Sequence, residues 1–263
     1  MGILNVTPDS FADGGRGLDP GRAVEDAVEM AEQGADIIDV GGESTRPGAE
    51  PVPADEEKTR VLPVLRGLAA RVRIPISIDT YKAEVARAAI AEGAVIVNDV
   101  SGLRYDPHLG QVVATSGVGL VLMHLRGRPR DMYREAAYTA IVEDVRRELD
   151  SSIQTAVEAG VALERVLIDP GLGFAKRAGQ TFEVLAALPE FRALGRPIVV
   201  GPSRKSFLQQ AIGERPPDRR DWGTAAAVAA SVLLGAHIVR VHAVAEMTQV
   251  VEVADRLRRS SGQ

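Results

Sequence analysis

The sequence predicts an α/β protein whose eight parallel strands close into a barrel, the (β/α)8 or TIM-barrel architecture. Short β-branched runs alternate with helical patterns from one end of the chain to the other. These runs are nearly continuous in apolar residues, which is typical of parallel strands covered on both faces. No linker or low-complexity tract interrupts the 263 residues. We therefore expect one domain over residues 1–263, with a doubly wound open sheet as the alternative architecture.

The predicted strands are the runs in which Val, Ile and Leu predominate. They are residues 2–6, 35–40, 75–79, 94–99, 119–124, 165–169, 197–201 and 237–242. Helices are predicted between them wherever apolar residues recur with a period near 3.6. Clear examples of that pattern are Pro20–Gln33, Tyr81–Glu92 and Ala137–Ala159.

Composition narrows the range of functions. The net charge is -5 and the pI is near 5.5, whereas a general nucleic-acid binder usually carries a basic patch. There is no cysteine, so disulfides, zinc-thiolate sites and cysteine nucleophiles are excluded. The N-terminus lacks a signal-type apolar core, and the uncharged stretch 223–238 is too short and polar for a transmembrane helix. We expect a cytoplasmic protein without membrane or nucleic-acid partners.

Polar residues stand at, or soon after, the end of most predicted strands. In a parallel barrel these ends share one mouth, where catalytic groups lie. The residues are Asn5, Asp39, Asp79, Asn98, His124, Asp169, the run 203–205, Arg240 and His242. Asp79, Asn98 and Asp169 follow apolar runs with little turn chemistry between, which favours function over a simple strand exit. No Walker loop or GxGxxG fingerprint is present, so neither phosphoryl nor hydride transfer has support.

The strand-end residues include donors and acceptors that suit a heterocycle. Asn5 and Asn98, the two asparagines of the chain, each present a donor and an acceptor. Asp79 and Asp169 would accept from ring N–H groups, and Lys205 would donate to a ring nitrogen or carbonyl. These residues predict a pocket for a polar bicyclic ring. An internal hydrogen-bond network is the alternative, and for Lys205 a solvated helix start.

The segment Arg240-Val241-His242 has a period of two, which places the Arg and His side chains on one face of the last strand. The ends of strands seven and eight often form the phosphate site of such barrels. Arginine binds phosphate oxygens as a bidentate fork, and His242 would add a proton-linked donor. The alternative is a charge pair on the surface.

Two loops rich in glycine follow the first two strands, at residues 9–15 and 41–48. They would bring Phe11, Thr45 and Arg46 over the mouth. Loops that close on a substrate exclude water and complete the site. Simple surface connections are the alternative.

Long motifs in a fixed order make this sequence resemble the dihydropteroate synthase family of pterin-binding enzymes. The matching segments include MGILNVTPDSFADGG (1–15), GADIIDVGGESTRPGA (34–49), IDPGLGFAK (168–176) and GPSRKSF (201–207). The resemblance covers nearly the whole chain. It implies an enzyme that joins 6-hydroxymethyl-7,8-dihydropterin diphosphate to 4-aminobenzoate and releases diphosphate.

Carried over position by position, the resemblance implies three groups of substrate-binding residues. Those around the pterin are Asp79, Asn98, Val100, Met123, Asp169 and Lys205. Those of the first and last predicted strands, near the diphosphate, are Asn5, Arg240, Val241 and His242. Those on the aminobenzoate side are Phe11, Thr45, Arg46, Pro47, Phe174, Lys205 and Ser206. Asn5 would also ligate Mg²⁺, the implied cofactor, and Lys205, Arg240 and His242 are the catalytic candidates.

The implied reaction is a substitution at the exocyclic methylene carbon of the pterin. Arg240, His242 and magnesium would offset the growing charge of the leaving diphosphate, and the aromatic amine then attacks. The family also implies a homodimer. The uncharged helix Trp222–Leu234 is the candidate interface, unless neighbouring elements of its own chain cover it.

The sequence departs from the family pattern at Ala243, Ala175 and the pair Gln180-Thr181, where the family usually has Asp, Gly and His-Asn. Two rival functions remain. A pterin-dependent methyltransferase domain shares the barrel, but ESTRPG together with SRKSF favours the synthase. A protein that binds pterin without turnover is supported only by Ala243 and Thr181.

Overall fold

A computed structural model describes residues 1–7, 19–46, 48–134 and 136–260 of the chain. Within these ranges, a parallel strand overlaps every predicted run. The strands are β1 (Gly2–Asn5), β2 (Ile38–Gly41), β3 (Ile76–Asp79), β4 (Ile96–Asp99), β5 (Gly119–Met123), β6 (Val166–Asp169), β7 (Val199–Val200) and β8 (Ile238–Val239). The last two are shorter than predicted, so Arg240–His242 lies just beyond the end of β8.

The strands close into a barrel. β1 to β6 pair in chain order, and β7 pairs with β8. Single parallel bridges join the six-stranded sheet to the two-stranded one, from Ile168 to Ile198 and from Gly2 to Val241. At the second seam the Ile3 N–H donates to the Val241 carbonyl, and the Val241 N–H donates to the Met1 carbonyl, both at 2.9 Å. The TIM-barrel prediction is confirmed, and the open sheet is wrong.

Helices follow the strands around the outside of the barrel. Those in the described residues are α1 (Pro20–Glu32), α2 (Ala54–Ala69), α3 (Ala83–Ala91), α4 (Leu109–Ser116), α5 (Ile141–Glu158), α6 (Ala178–Ala186), α7 (Gln209–Ile212), α8 (Asp221–Leu233) and α9 (Val244–Ser260). The three predicted examples are confirmed with trimmed ends. The first N–H of α3, that of Ala83, donates to Asp106 Oδ2 at 2.8 Å. This cap comes from a distant loop, so local sequence could not place the start of α3.

The hydrophobic core lies between the strands and the inner faces of the helices. Ile38, Val40 and Ile78 of the central strands are fully buried in it. Helices α1 and α2 approach closely at Gly67, where an added Cβ would lie 2.6 Å from Val24 Cγ2. Glycine is therefore required at this contact, since the interior is close-packed. The rigid wall that results positions the strand ends at the mouth.

No helix among the described residues combines the length and the apolar character needed to cross a lipid bilayer. The cytoplasmic location expected from the sequence stays a prediction.

Candidate active site

The guanidinium of Arg240 joins two carboxylates inside the barrel mouth. Its Nε donates to Asp39 Oδ2 at 2.6 Å, and its Nη2 donates to Asp79 Oδ2 at 2.7 Å. Arg240 follows β8, whereas Asp79 ends β3, so this contact crosses the barrel rather than joining neighbouring strands. Its Nη1 has no acceptor among the residues that the structure describes, and it stays available to a ligand.

Asn98 extends this network across the mouth. Its Nδ2 donates to Asp39 Oδ2 at 3.0 Å, and both side chains are buried. The other oxygen, Asp39 Oδ1, is buried without a hydrogen-bond partner in the described part of the chain. A buried acceptor of this kind costs about 1–3 kcal/mol when unpaired. The network is therefore incomplete by itself and suits a ligand or a water molecule that donates.

Burial and the shared guanidinium act in opposite directions on the protonation of Asp79. Burial raises the pKa of Asp79 to about 7, Arg240 opposes that rise, and the charge of Asp39 adds to it. Asp79 therefore titrates near neutral pH. Its ionised form can accept two ring N–H donors, and its protonated form cannot.

Asp169 and Lys205 form the opposite side of the mouth. The buried Asp169 Oδ1 accepts from the Gly171 N–H at 2.7 Å. Lys205 Nζ donates to the Leu172 carbonyl at 2.6 Å and lies 4.3 Å from the centre of the Phe174 ring. Burial lowers the pKa of Lys205 to about 8, against the opposing effect of Asp169. The ammonium thus contacts a loop carbonyl and an aromatic face, within the electrostatic influence of Asp169.

A small apolar cluster stands beside these polar groups. It contains Val100 and Met123, as the family resemblance implies, with Phe174 packed against it. The buried members are Tyr81, Val100, Met123, Leu125, Met132 and Ala175. Met123 pairs in register with Asp169, so the apolar cluster and this carboxylate lie side by side at the same level of the barrel axis. This combination suits a flat ring with polar edges.

His242 is held by Ser203 beside Arg240. Its Nδ1 lies 2.9 Å from Ser203 Oγ, which also accepts from the His242 backbone N–H at 3.2 Å. Burial lowers the pKa of His242 to about 3, and the charge of Arg240 adds to that effect. The ring is therefore neutral at pH 7, and the proton-linked role expected for it does not operate in the free protein. In the tautomer whose Nδ1 accepts from Ser203, the ring proton lies on Nε2 and can be offered to a ligand.

The remaining predicted residues differ in position. Asn5 ends β1 half-buried and pairs in register with Gly41, which pairs with Asp79. Val241 packs its side chain into the core, and its backbone closes the barrel seam. On the loops, Thr45 is half-buried, whereas Arg46 and Ser206 are exposed. Phe11 and Pro47 lie outside the described residues.

Two residues of the site, Asp39 and Lys176, have roles that the sequence does not predict. Asp39 stands in the sequence as one strand-end residue among several, although it accepts from both Arg240 and Asn98. Lys176 is 1% exposed and bonds to His124 Nδ1 at 2.8 Å. The chain has only four lysines, and that scarcity was the one available signal for Lys176.

The departures from the family pattern at 180–181 lie at the start of α6. Gln180 Oε1 accepts from the Arg177 N–H at 2.8 Å, and Thr181 Oγ1 donates to the Arg177 carbonyl at 3.0 Å. These two residues cap and support the helix. Ala175 is buried with a φ of 49°, a region where glycine is less strained. Each of these departures therefore acts on backbone geometry.

A closed parallel barrel with acids, bases and an apolar wall at the mouth defines a TIM-barrel enzyme for a polar heterocycle. Residues 1–242 match the family model described as pterin binding enzyme. The dihydropteroate synthase of Synechocystis sp. is 45% identical over 259 residues, which cover 98% of this chain and 90% of that one. The chain belongs to the pterin binding enzyme family.

Solved structures agree with this membership. The dihydropteroate synthase of Xanthomonas albilineans with 4-aminobenzoic acid superposes with a TM-score of 0.92 at 43% identity, covering 98% of this chain and 92% of that one. The same enzyme in complex with 7,8-dihydropteroate has a TM-score of 0.88 at 40% identity, again covering 98% and 92%.

Proposed function

We propose that this chain catalyses the dihydropteroate synthase reaction. In that reaction the bond between the pterin methylene carbon and the diphosphate oxygen breaks, a carbon–nitrogen bond to 4-aminobenzoate forms, and the amine loses one proton. The observation that carries the proposal is the convergence of Asp79, Asn98, Asp169 and Lys205 on one mouth. Relatives of nearly the same length carry this activity in their names, and a solved neighbour holds the product.

The pterin ring would lie between the carboxylates and the apolar wall. Asp79 and Asp169 accept from the ring and amino N–H groups, while Asn98 completes the polar edge. Met123 and Val100 cover one ring face. Because these groups are buried, and the polar ones already hold hydrogen bonds to Arg240, Gly171 and Asp39, little reorganisation would accompany binding.

The diphosphate would lie beyond Arg240 and His242. The free Nη1 of Arg240 and the Nε2–H of His242 both donate to its oxygens as negative charge grows on the leaving group. Neither residue becomes a nucleophile, so the protein's contribution is orientation and charge stabilisation.

Asn5 fits the role of a magnesium ligand only together with the substrate. A Cβ added at Gly41 would lie 3.8 Å from Asn5 Oδ1 and 3.7 Å from Asp79 Oδ2, so these two oxygens border the same gap. No group of three His, Cys, Asp or Glu residues that could hold a metal occurs in the described ranges. Mg²⁺ commonly takes one or two protein oxygens and completes its shell with phosphates and water. When bound, the ion would neutralise charge on the diphosphate.

Aminobenzoate would enter on the side of Phe174, Lys205 and Ser206, with Thr45 and Arg46 above. Lys205 lies over the Phe174 ring, at the border between the two substrate positions. It can therefore orient both reactants, which is worth several kcal/mol when a bimolecular step becomes intramolecular.

The test is a turnover assay with 6-hydroxymethyl-7,8-dihydropterin diphosphate, 4-aminobenzoate and magnesium, with a chelator as the control. We expect dihydropteroate and diphosphate in equal amounts. Pterin binding by calorimetry without product would show a non-catalytic binder. Methyl transfer from a methylated reduced folate, without dihydropteroate, would show the methyltransferase.

The active protein is proposed to be a homodimer formed through α8 and α9. One face of α8 packs on the barrel through residues such as Thr224, Ala227 and Val228. The opposite side borders a groove of about 490 Å³ between the two helices. Its apolar residues include Trp222, Val253 and Leu257, which are 91%, 64% and 57% exposed. A contiguous apolar surface of this kind marks an interface.

Sedimentation tests the dimer. Leu257→Asp should convert it to monomers, because a charge would be buried without a partner. Val95→Asp places the same charge on another exposed apolar residue, 47% exposed and away from α8 and α9, and should leave the dimer unchanged. A wild-type chain that sediments as a monomer at micromolar concentration would contradict the proposal.

A further inference from the structure

The loop between β6 and α6 carries contacts for both substrates. The Gly171 N–H binds Asp169, and the Leu172 carbonyl binds Lys205. The Phe174 ring lies under the Lys205 ammonium. Any movement of this loop would therefore displace groups on the pterin side and on the aminobenzoate side together.

The backbone of the loop has an unusual conformation, which includes a turn hydrogen bond from the Phe174 N–H to the Gly171 carbonyl at 3.1 Å. Gly171, Gly173 and Ala175 have φ values of 70°, 77° and 49°, so left-handed residues alternate along it. A Cβ on Gly171 would lie 2.1 Å from the His124 carbonyl, which shows how closely the loop passes the end of β5. Conformations of this kind persist only where the surroundings impose them.

Lys176 supplies that constraint. Its buried Nζ lies 3.0 Å from the Gly171 carbonyl, 3.0 Å from the Phe174 carbonyl and 2.8 Å from His124 Nδ1. An ammonium has three donors and no acceptor, and all three donors are used here. The two carbonyls lie on either side of the loop's turn, so the ammonium ties its ends together.

His124 and Glu148 complete the arrangement. Since Nδ1 accepts from Lys176, the imidazole proton lies on Nε2, 3.0 Å from Glu148 Oε2. Burial lowers the pKa of His124 to about 3, so the ring is neutral. Burial acts to raise the pKa of Glu148, but bonds from His124 and Arg126 lower it to about 2. Along this row of contacts, Lys176 is therefore a cation, the His124 ring is neutral and Glu148 is an anion.

The hydrogen bonds favour an ammonium over a neutral amine at Lys176. Burial lowers the pKa of Lys176, while the Asp169 carboxylate opposes that effect. A neutral amine has only two N–H groups for the two carbonyls and the Nδ1 atom around it, so one of these three contacts would lose its donor. The geometry therefore selects the ammonium.

We propose that Lys176, backed by His124 and Glu148, is a positioning residue for the reaction. It holds the 171–175 loop so that Asp169, the Leu172 carbonyl and Phe174 present their contacts at the required distances. The inference rests on the proposed function, but it assigns a role to a lysine that touches no substrate.

A cavity gives access to this lysine from outside. It has a volume of about 160 Å³ and is lined by Tyr133, Gly173, Lys176, Ala178, Ser206 and Phe207. A small primary ammonium ion can therefore reach the space that a truncated residue 176 would leave.

The experiment compares Lys176→Met with Lys58→Met, which changes a surface lysine paired with Asp55 and Glu84. Lys176→Met should lower the calorimetric affinity for 6-hydroxymethyl-7,8-dihydropterin at least tenfold and should lower kcat at least tenfold. Both quantities are measured well below the melting temperature of the variant. Lys58→Met should match the wild type. Lys176→Ala should regain at least fivefold in kcat with ethylammonium, but not with tetramethylammonium, which has no N–H donor.

A Lys176→Met protein whose pterin affinity and kcat both stay within twofold of wild type would overturn the inference, and so would the absence of ethylammonium rescue. If neither Lys176 variant folds, the Glu148→Gln variant tests the inference instead. It should lose threefold or more in kcat/KM, while Glu143→Gln on the same helix should lose nothing, and equal values for the two would overturn the inference. An inactive wild type would instead contradict the proposed function.

Discussion

The two sides of the active site are built differently. On the pterin side, Asp39, Asp79 and Asn98 lie on strands, are buried, and are joined to one another directly or through Arg240. On the aminobenzoate side, Arg46 and Ser206 lie on connecting segments and are exposed. The first side is preorganised before any ligand binds, whereas the second is proposed to depend on loops that close over the substrate. Mutations should therefore have larger effects on the first side, and Lys205, which contacts both, should have the largest.

Lys205→Met is the strongest test of this comparison. It removes the charge but keeps much of the apolar stem, so both reactants lose an orienting group. We expect kcat to fall about a hundredfold or more, which is roughly 3 kcal/mol of transition-state stabilisation, with little change in the melting temperature. Steady-state kinetics within a fewfold of wild type would show that Lys205 does not link the two sides.

Asp169→Asn tests the pterin side alone. The new amide oxygen can still accept from the Gly171 N–H, so the fold should survive, but the other acceptor becomes a donor facing ring N–H groups. Unpaired buried groups cost roughly 1–3 kcal/mol, so pterin affinity should fall at least tenfold. Calorimetry measures this directly, and unchanged affinity would remove Asp169 from the ring-binding set.

Arg240→Ala and His242→Ala should distinguish the binding of the pterin ring from the binding of the leaving diphosphate. Removing Arg240 leaves Asp39 and Asp79 without their shared cation. The affinity for the bare hydroxymethyl pterin should therefore fall about tenfold, and the affinity for its diphosphate should fall further still. Removing His242 should weaken only the diphosphate, by about fivefold, the worth of one hydrogen bond. Competition binding with both ligands provides the readout. Equal losses for His242→Ala would place that residue on the ring instead.

The pH dependence follows from the same groups. The pKa of Asp79 is raised to about 7, so the acceptor form is lost as pH falls, and affinity should decrease about tenfold between about pH 8 and pH 6. The pKa of Lys205 is lowered to about 8, so its charge is lost above that pH. The profile of kcat/KM should therefore peak between about 7 and 8. Asp79→Asn should abolish the acid limb and leave the alkaline one, and an unchanged acid limb would assign it elsewhere.

The smallest effect is expected for Arg46→Ala. An exposed charge contributes about 0–1 kcal/mol, so KM for aminobenzoate should rise about threefold while pterin affinity stays constant. A loss as large as that of Asp169→Asn would mean that the second loop is as preorganised as the strands.

Magnesium offers a further check on the diphosphate position. Because Asn5 is the proposed protein ligand and the substrate supplies the others, calorimetry should show weak binding of Mg²⁺ alone and tight binding with diphosphate. Asn5→Ala should reduce only the Mg²⁺ affinity measured with diphosphate present. Equal affinity with and without diphosphate would indicate a metal site built by the protein alone.

Much of the fold could be predicted from the sequence because its signals are local. Alternating β-branched and 3.6-period segments identified every strand of the barrel, and polar residues at strand ends marked the mouth. The errors are at boundaries set by distant contacts. The start of α3 is capped by Asp106, 23 residues away. β8 is shorter than its predicted run because it pairs with the two-residue β7, and its continuation forms only a single bridge, from Val241 to Gly2 of β1.

By itself the sequence determined the barrel, the side of the mouth on which Asp79, Asn98, Asp169 and Lys205 stand, and, through its motifs, the family. Only the tertiary structure decided the pairings among them. Strand periodicity shows which way a side chain points, but not which residue faces it across a closed barrel. That is why Asp39 and Asp79 sharing the guanidinium of Arg240 was not predicted. The ammonium of Lys176 depends likewise on two carbonyls of its own loop and on His124, which follows β5, and these contacts oppose the effect of burial on its charge.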